Sequence, residues 1–345
     1  MTDQRVLIIG GGIGGLTTAL ALARREIRVD LVEQAAGVGG HAARLACKAT
    51  ERCVKCGACL ADQTIAAAVA HPWIRLYTAC RVAEIRRSDR YRYTLAQDPR
   101  QDRPARTLPG EADAVVLASG FQTFDPSGKP YGYGLYPDVI TNLELEGMLR
   151  EGGGLRRPSN GAAPGRMAFI QCVGSRDATL GHLWCSGYCC AAALRAARLL
   201  KHHRPALDIT IFYIDIQTFG RDFELVYAKA REEIRFVRAI PADAFQGEGA
   251  TLRLTWVETS VKGAVEEEFD LVVLSTGMTP RPQTAELATS LGMAPPAAGF
   301  LRSACLGAKG AFVVGAARGP MGIADTIADA GRVAWQIVRF LEGGR

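Results

Sequence analysis

The chain has 345 residues, a net charge of +6 and ten cysteines. That length buries ample core in two domains of ordinary size without disulfide staples, so the cysteines need another use; with no apolar run ahead of the first strand they suggest a reducing, cytoplasmic setting in which clustered thiols serve as metal ligands. The charge is spread without a block of like residues or an aromatic-interleaved basic run, which argues against nucleic acid, and no apolar run reaches the roughly eighteen residues of a transmembrane segment.

Arg5 to Ile9 reads as a strand, Ile13 to Arg25 has helical spacing and Arg28 to Glu33 is a second apolar run, together a βαβ unit that opens a doubly wound α/β fold. Between strand and helix, Gly10, Gly12 and Gly15 fit G-x-G-x-x-G. The first permits the tight turn, the second lets the backbone approach a pyrophosphate, and the third lets helix pack on strand; the free N–H groups of the helix start then bind phosphate. Glu33 ends the second strand, where an acidic side chain accepts the ribose hydroxyls of FAD or NAD.

Gly37 to Thr64 lacks sustained periodicity, carries GVGGH and four cysteines, and reads as a long functional loop with a helical turn. Within it Cys53, Cys56 and Cys59 form C-x2-C-x2-C, the spacing of a ferredoxin loop, with Cys47 or Cys80 available as a fourth ligand; free thiols or a redox disulfide are the alternative. Trp73 to Val82, Tyr91 to Gln97 and Asp113 to Ala118 read as strands, and Gly152 to Gly165, rich in Gly, Pro and Ser, as a linker. A second α/β unit follows: strand Met167 to Gln171, helix from about Gly187 to His203, strand Asp208 to Ile214, helix about Phe223 to Glu233, strand Arg235 to Val237. Leu252 to Glu258 and Phe269 to Ser275 add strands, and Ala311 to Gly315 feeds a C-terminal helix from Gly322 to about Leu341. The expected domains are 1–150 with 275–345 for the dinucleotide and 151–274 for the second α/β domain.

Four further thiols, Cys172, Cys185, Cys189 and Cys190, converge on a strand end and the following helix start. Buried small hydrophobes are a poor explanation of that convergence. Zinc would use the same ligands, but the adjacent Cys189-Cys190 is not the paired spacing of structural zinc sites, and a disulfide between neighbours would be strained. The second α/β unit also begins with QCVGSRD where a nicotinamide domain needs another Gly-x-Gly turn, so the thiols stand in place of an NAD site. Cys305 reads as structural, and His202 and His203 as a solvated helix end.

VVLASG, ending at Gly120, and VVLSTG, ending at Gly277, resemble the strand motifs of two-dinucleotide-binding flavoproteins of the thioredoxin-reductase type, and AFVVGAARGPMGIADTI resembles their flavin-facing C-terminal strand and helix. That resemblance implies FAD, with Gly315, Met321 and Gly322 near the flavin, although Gly315-Ala316 replaces the usual Gly-Asp. FIQCVGSRD followed by WCSGYCC is more specific: with GGGIGG, GVGGH, STGMTP and GPMGIADTI in the same order, the whole chain resembles the flavin-binding A-type component of heterodisulfide reductase and its bacterial relatives. The resemblance implies a [4Fe–4S] cluster on Cys172, Cys185, Cys189 and Cys190, Gly40 and His41 beside FAD, a homodimer, and iron–sulfur and disulfide-handling partner subunits in a complex. It further implies the compact bacterial form, of the sulfur-oxidation type. The alternative is a free-standing NAD(P)H-dependent disulfide reductase using Cys53 and Cys56, which lacks its second Gly-x-Gly. No catalytic acid, base or nucleophile stands out, so hydrolysis has no support.

Overall fold

The computed structural model describes residues 4–99, 105–152, 154–217, 223–257, 263–293, 299–301 and 310–343; Cys305 lies outside the described residues. In chain order the strands and helices are β1 (Arg5–Ile9), α1 (Ile13–Ala23), β2 (Arg28–Glu33), α2 (Ala58–Val69), β3 (Ile74–Thr78), β4 (Cys80–Arg87), β5 (Tyr91–Gln97), β6 (Arg106–Ala112), β7 (Ala114–Leu117) and β8 (Phe121–Thr123). There follow β9 (Val139–Thr141), α3 (Asn142–Glu151), β10 (Arg166–Val173), α4 (Cys189–His203), β11 (Asp208–Phe212), α5 (Phe223–Glu233), β12 (Arg235–Val237), β13 (Asp243–Gln246), β14 (Leu252–Val257), β15 (Ala264–Phe269) and β16 (Leu271–Thr276). The chain finishes with β17 (Met278–Pro280), α6 (Pro282–Ser290), β18 (Ala311–Val313) and α7 (Ile323–Leu341). Among the described residues no helix is long and apolar enough to cross a membrane.

Two compact units divide the chain: Met1–Ala43, Gly57–Gln122 and Thr279–Arg345 form the first, Arg44–Cys56 and Thr123–Met278 the second. The first is built on a parallel sheet ordered β18-β7-β1-β2-β3. Its central strands are near-continuous apolar runs because both faces are covered: Val6, Ile8 and Val116 pack with Leu16, Leu22, Val333 and Ile337 of α1 and α7, and Leu7, Val115 and Leu117 with Tyr91, Tyr93 and Leu95 of the antiparallel sheet β4-β5-β6. The apolar run from Trp73 to Val82, expected as one strand, is two. Ala79, at φ +49°, sits in the left-handed region between them and redirects the chain from the parallel to the antiparallel sheet.

The second unit carries a parallel sheet ordered β12-β11-β10-β16-β9 and an antiparallel sheet β13-β14-β15. The boundary expected at 150 and 151 therefore falls earlier, near 122, because β9 pairs with β16 and α3 follows it directly. Thr141 and Glu144 close a capping box at the start of α3, and Gly152 at φ +74° ends it. One face of the sheet is covered by α4, whose Ala193, Leu194, Ala197 and Leu200 recur at helical spacing and pack on Met167 and Phe169. The other face packs Ile170, Phe212 and Leu274 against Leu254, Trp256 and Phe269.

Candidate cofactor sites

In the first unit the glycine turn has the three roles its spacing implies. Gly10 lies at φ +116°, and a Cβ there would stand 2.3 Å from the Ala118 carbonyl oxygen at the end of β7. At Gly15 a Cβ would come within 2.0 Å of the Gly10 oxygen, so only glycine lets α1 sit this close to β1. Gly12, the N-cap of α1, differs: its φ is −74° and a Cβ there would meet nothing within 4 Å. The protein leaves this position open, no side chain caps the helix, and the first-turn amides of α1 are left for a ligand.

Glu33 is held beside that turn, its Oε2 accepting the Gly11 N–H at 2.8 Å and its Oε1 the Ala35 N–H at 2.8 Å. The GVGGH loop closes over the same turn: the Gly39 N–H donates to the Gly11 oxygen at 2.6 Å, and Gly40, at φ +57°, would place a Cβ 3.3 Å from the Gly12 Cα. His41 stacks on Phe121 with ring centroids 4.4 Å apart, its Nε2 3.1 Å from the Phe121 oxygen, so it stands next to Gly120. The start of α7 meets the start of α1, where a Cβ on Gly14 would lie 3.2 Å from the Thr326 methyl and 3.7 Å from the Gly315 Cα. Gly315, at φ +69°, gives its N–H to Asp329 at 2.9 Å, and that carboxylate is also paired with Arg318 and Arg332. Gly322 caps α7 without a side-chain acceptor, directly after Met321. Gly10, Gly12, Gly15, Glu33, Gly40, His41, Gly120, Gly315, Met321 and Gly322 thus all belong to the first unit. An open cradle at a bare helix start, with a carboxylate beside it, fits a dinucleotide.

Gly277 lies elsewhere. It belongs to the second unit, where a Cβ would stand 2.8 Å from both Ser175 Cβ and Ser186 Oγ, so its missing side chain serves the thiol loop instead of the glycine turn.

The thiol loop leaves β10 through Cys172, a non-glycine residue at φ +61°. Cys172, Cys185, Cys189 and Cys190 act on one another electrostatically, and all four are free thiols. Burial, and then the charge of Cys190, push the Cys172 thiol up to about 11; burial first also raises Cys189 and Cys190. Cys172, Cys189 and Cys190 thus resist ionisation without a cation to bind the thiolates, and a bound metal centre would reverse that preference. Among the described residues no three His, Cys, Asp or Glu side chains close on a single ion; the four donors of this loop are all thiols, a ligand set that both zinc and an iron–sulfur cluster use.

The loop is held by side chains with no motif of their own. Trp184 Nε1 donates to the Met278 oxygen at 2.9 Å, Ser186 Oγ accepts the Met278 N–H at 2.8 Å, and Tyr188 donates to the Thr276 oxygen at 2.8 Å while accepting Asn142 Nδ2 at 3.0 Å. His182 Nδ1 lies 2.9 Å from the Gly174 oxygen. Arg176 pairs with Asp215, and Lys129 with Asp177. Periodicity could not find these partners, because most of the contacts join residues tens of positions apart.

Cys53, Cys56 and Cys59 are divided: Cys53 and Cys56 belong to the second unit and Cys59 to the first turn of α2 in the first. Cys53 Sγ accepts the Lys55 N–H at 3.4 Å, Cys56 lies near Arg195 of α4, and the fourth-ligand candidates are an exposed Cys47 and a buried Cys80. The segment that carries Cys47, Cys53 and Cys56 is pinned to α3 by a buried ion pair between Lys48 and Glu146, whose Oε2 also accepts the Ala46 N–H at 2.9 Å.

Residues 8–62 match the NAD(P)-binding Rossmann-like domain family. The chain is 32% identical to the HdrA iron–sulfur component of CoB–CoM heterodisulfide reductase from Methanocaldococcus jannaschii, over 95% of the chain and 63% of that protein. It is a homologue of these HdrA proteins. A second HdrA, from Methanopyrus kandleri, is 30% identical over 100% of the chain and 65% of its own length, so the homologue spans less than two thirds of these relatives. Its fold is the two-dinucleotide-binding fold of thioredoxin reductases. The Lactococcus lactis enzyme superposes with a TM-score of 0.65 at 16% identity over 99% of both chains, and the T. acidophilum enzyme with 0.64 at 15% over 98% of this chain and 99% of its own.

Proposed function

We propose that this chain is an electron-transfer subunit of a heterodisulfide-reductase-like complex, binding FAD in its first unit and a [4Fe–4S] cluster through Cys172, Cys185, Cys189 and Cys190 in its second. One observation carries the reading: at the β10-to-α4 crossing of a two-dinucleotide fold, where a nicotinamide-binding unit needs a glycine turn, the chain has a thiol loop ending in Cys189-Cys190 at the helix start. FAD can exchange electrons in pairs or singly and an iron–sulfur cluster only one at a time, so a chain holding both could take up a pair and pass it on singly, or the reverse.

The residues supply the binding and the bias. The amides of α1 and the open position at Gly12 would hold the pyrophosphate, Glu33 the ribose, and the uncapped start of α7, with its helix dipole, would favour negative charge on the flavin ring. Gly40, His41 and Gly120 would line the approach to the ring. Around the thiols, buried Cys189 and Cys190 would keep water from a bound cluster, and Arg176 places a cation next to the set. Partners would be iron–sulfur and disulfide-handling subunits in a cytoplasmic sulfur metabolism, with a second copy of the chain across a two-fold axis. Cys53, Cys56 and Cys59 would hold a second cluster only with Cys47 or Cys80 completing the set.

Anaerobic purification followed by iron, sulfide, zinc and flavin analysis of the same sample tests this. Stoichiometric FAD and about four irons per chain are expected, with Cys189→Ser losing the iron and keeping the FAD. Zinc without sulfide, or iron that disappears only when Cys53 or Cys56 is replaced, would overturn the assignment.

A further inference from the structure

Gln171 is 1% exposed, and among the described residues neither its Nε2 nor its Oε1 has a hydrogen-bond partner; Ser275, also 1% exposed, has an Oγ likewise unpartnered among them. Buried polar groups are nearly always satisfied, so two such side chains together call for a reason. They are close in the sheet: β10 and β16 run parallel with Ile170 opposite Leu274 and Val173 opposite Thr276, so Gln171 and Cys172 on β10 form a bulge across from Ser275 on β16. They also share a face. Met167 and Phe169 on β10, and Leu271 and Val273 on β16, pack with Ala191, Ala193, Leu194 and Ala197 of α4; alternation carried to the start of the bulge puts Gln171, and along β16 Ser275, on that same side, nearer the strand ends.

The first turn of α4 covers that end of the sheet, and its two cysteines straddle β10. Cys189 Sγ lies 3.9 Å from the Thr276 oxygen on the β16 side, and Cys190 Sγ lies 3.9 Å from the Asp215 oxygen, just after β11, on the other. Gln171 is on the strand between them, immediately before Cys172. The other polar groups at this end have partners: Thr276 Oγ1 donates to Asn142 at 2.8 Å, and Ser186 and Tyr188 are engaged as described. The donors left unspent among the described residues at this end are thus those of Gln171 and Ser275, on the side covered by the first turn of α4.

We propose that the Gln171 amide and the Ser275 hydroxyl donate hydrogen bonds to sulfur atoms of the cluster and thereby raise its reduction potential. The inference rests on the cluster reading above. Reduction adds one electron, and the extra negative charge is carried largely on sulfur. N–H and O–H donors in a site of low dielectric stabilise that charge more in the reduced than in the oxidised state.

The test uses the full chain, reconstituted anaerobically with iron and sulfide and titrated with dithionite while the cluster's paramagnetic resonance is followed. Gln171→Met and Ser275→Ala remove the donors and keep the space largely filled. Thr210→Val is the control: Thr210 is also fully buried with an unpartnered hydroxyl, but it lies opposite Ala168 on the far face of the sheet. Iron, sulfide and FAD contents should match the parent in all three. The equilibrium constant for one-electron reduction should fall about tenfold in Gln171→Met and in Ser275→Ala, which is about 59 mV toward negative potential, and should stay put in Thr210→Val. In D2O the parent should show exchangeable deuterium coupled to the cluster, weakened in the first two variants. If Gln171→Met holds no iron, Ser275→Ala decides by the same readouts. Unchanged potentials at full iron content, or an equal shift in Thr210→Val, overturn the inference while leaving the cluster standing; a parent protein that takes up no iron and sulfide overturns both.

Discussion

Gly12 and Gly15 stand three residues apart in one turn and meet opposite needs. At Gly12 a side chain has room in the protein and an accessible backbone, so Gly12→Val should fold with near-parent stability yet lose FAD from the purified protein, read as flavin absorbance per chain. At Gly15 a single methyl would be driven into the Gly10 carbonyl, so Gly15→Ala should cost about 1–3 kcal/mol in denaturant unfolding before any cofactor is considered. These roles were legible from spacing alone because the G-x-G-x-x-G turn is a local device. Gly277 was not: VVLASG and VVLSTG look alike as strings, and only the sheet to which each strand belongs separates a glycine beside the dinucleotide turn from one beside the thiols. Nor could any string reveal that Gln171 and Ser275 lack partners, since that depends on what every neighbour is already bonded to.

Short elements show how the thiol loop is kept in place. Asp177 caps the 3-10 turn at Ala178–Leu180, and its bond to Lys129, with Thr179 adding to it, lowers its carboxyl from the usual 3.8 to about 2. A depressed folded-state value means that the carboxylate contributes stability above about pH 4 and loses it as pH falls toward 2. The stability gap between the parent and Asp177→Asn, measured by denaturant midpoints, should therefore be present at pH 7 and close between about pH 4 and 2. The Lys48–Glu146 pair does comparable work for the segment carrying Cys47, Cys53 and Cys56, but deep in the protein. Lys48→Met strands a buried carboxylate and should cost about 3–5 kcal/mol, most of it regained in Lys48→Met/Glu146→Leu. Neither charged pair was readable, because each joins positions far apart. The capping box of α3 was written in the sequence as Thr-Asn-Leu-Glu, but a helix of ten residues has too few apolar positions to announce itself by period.

As a whole molecule the chain alternates between its two units, crossing after 43, 56, 122 and 278. The doubly wound pattern and the thiol-for-glycine substitution were visible in the sequence, since both live within one βαβ unit. The crossings were not, because a strand such as β9 declares its sheet only by its neighbour. With no second glycine turn for a nicotinamide cofactor, the isolated protein should not reduce a simple disulfide with NADH. Rapid multiple turnover in an assay without partners would instead favour a thioredoxin-reductase-like enzyme.

That alternation also sets an order of maturation on the ribosome. Every strand of the second parallel sheet has been synthesised by Thr276, whereas the first sheet waits for β18 as its edge strand and α1 waits for α7. At about 5–20 residues per second the delay is on the order of several seconds. The thiols are thus housed before the nucleotide cradle can close. Nascent chains stalled with residue 278 clear of the ribosome but 311 not yet added should protect the second unit from protease and leave the first open to it.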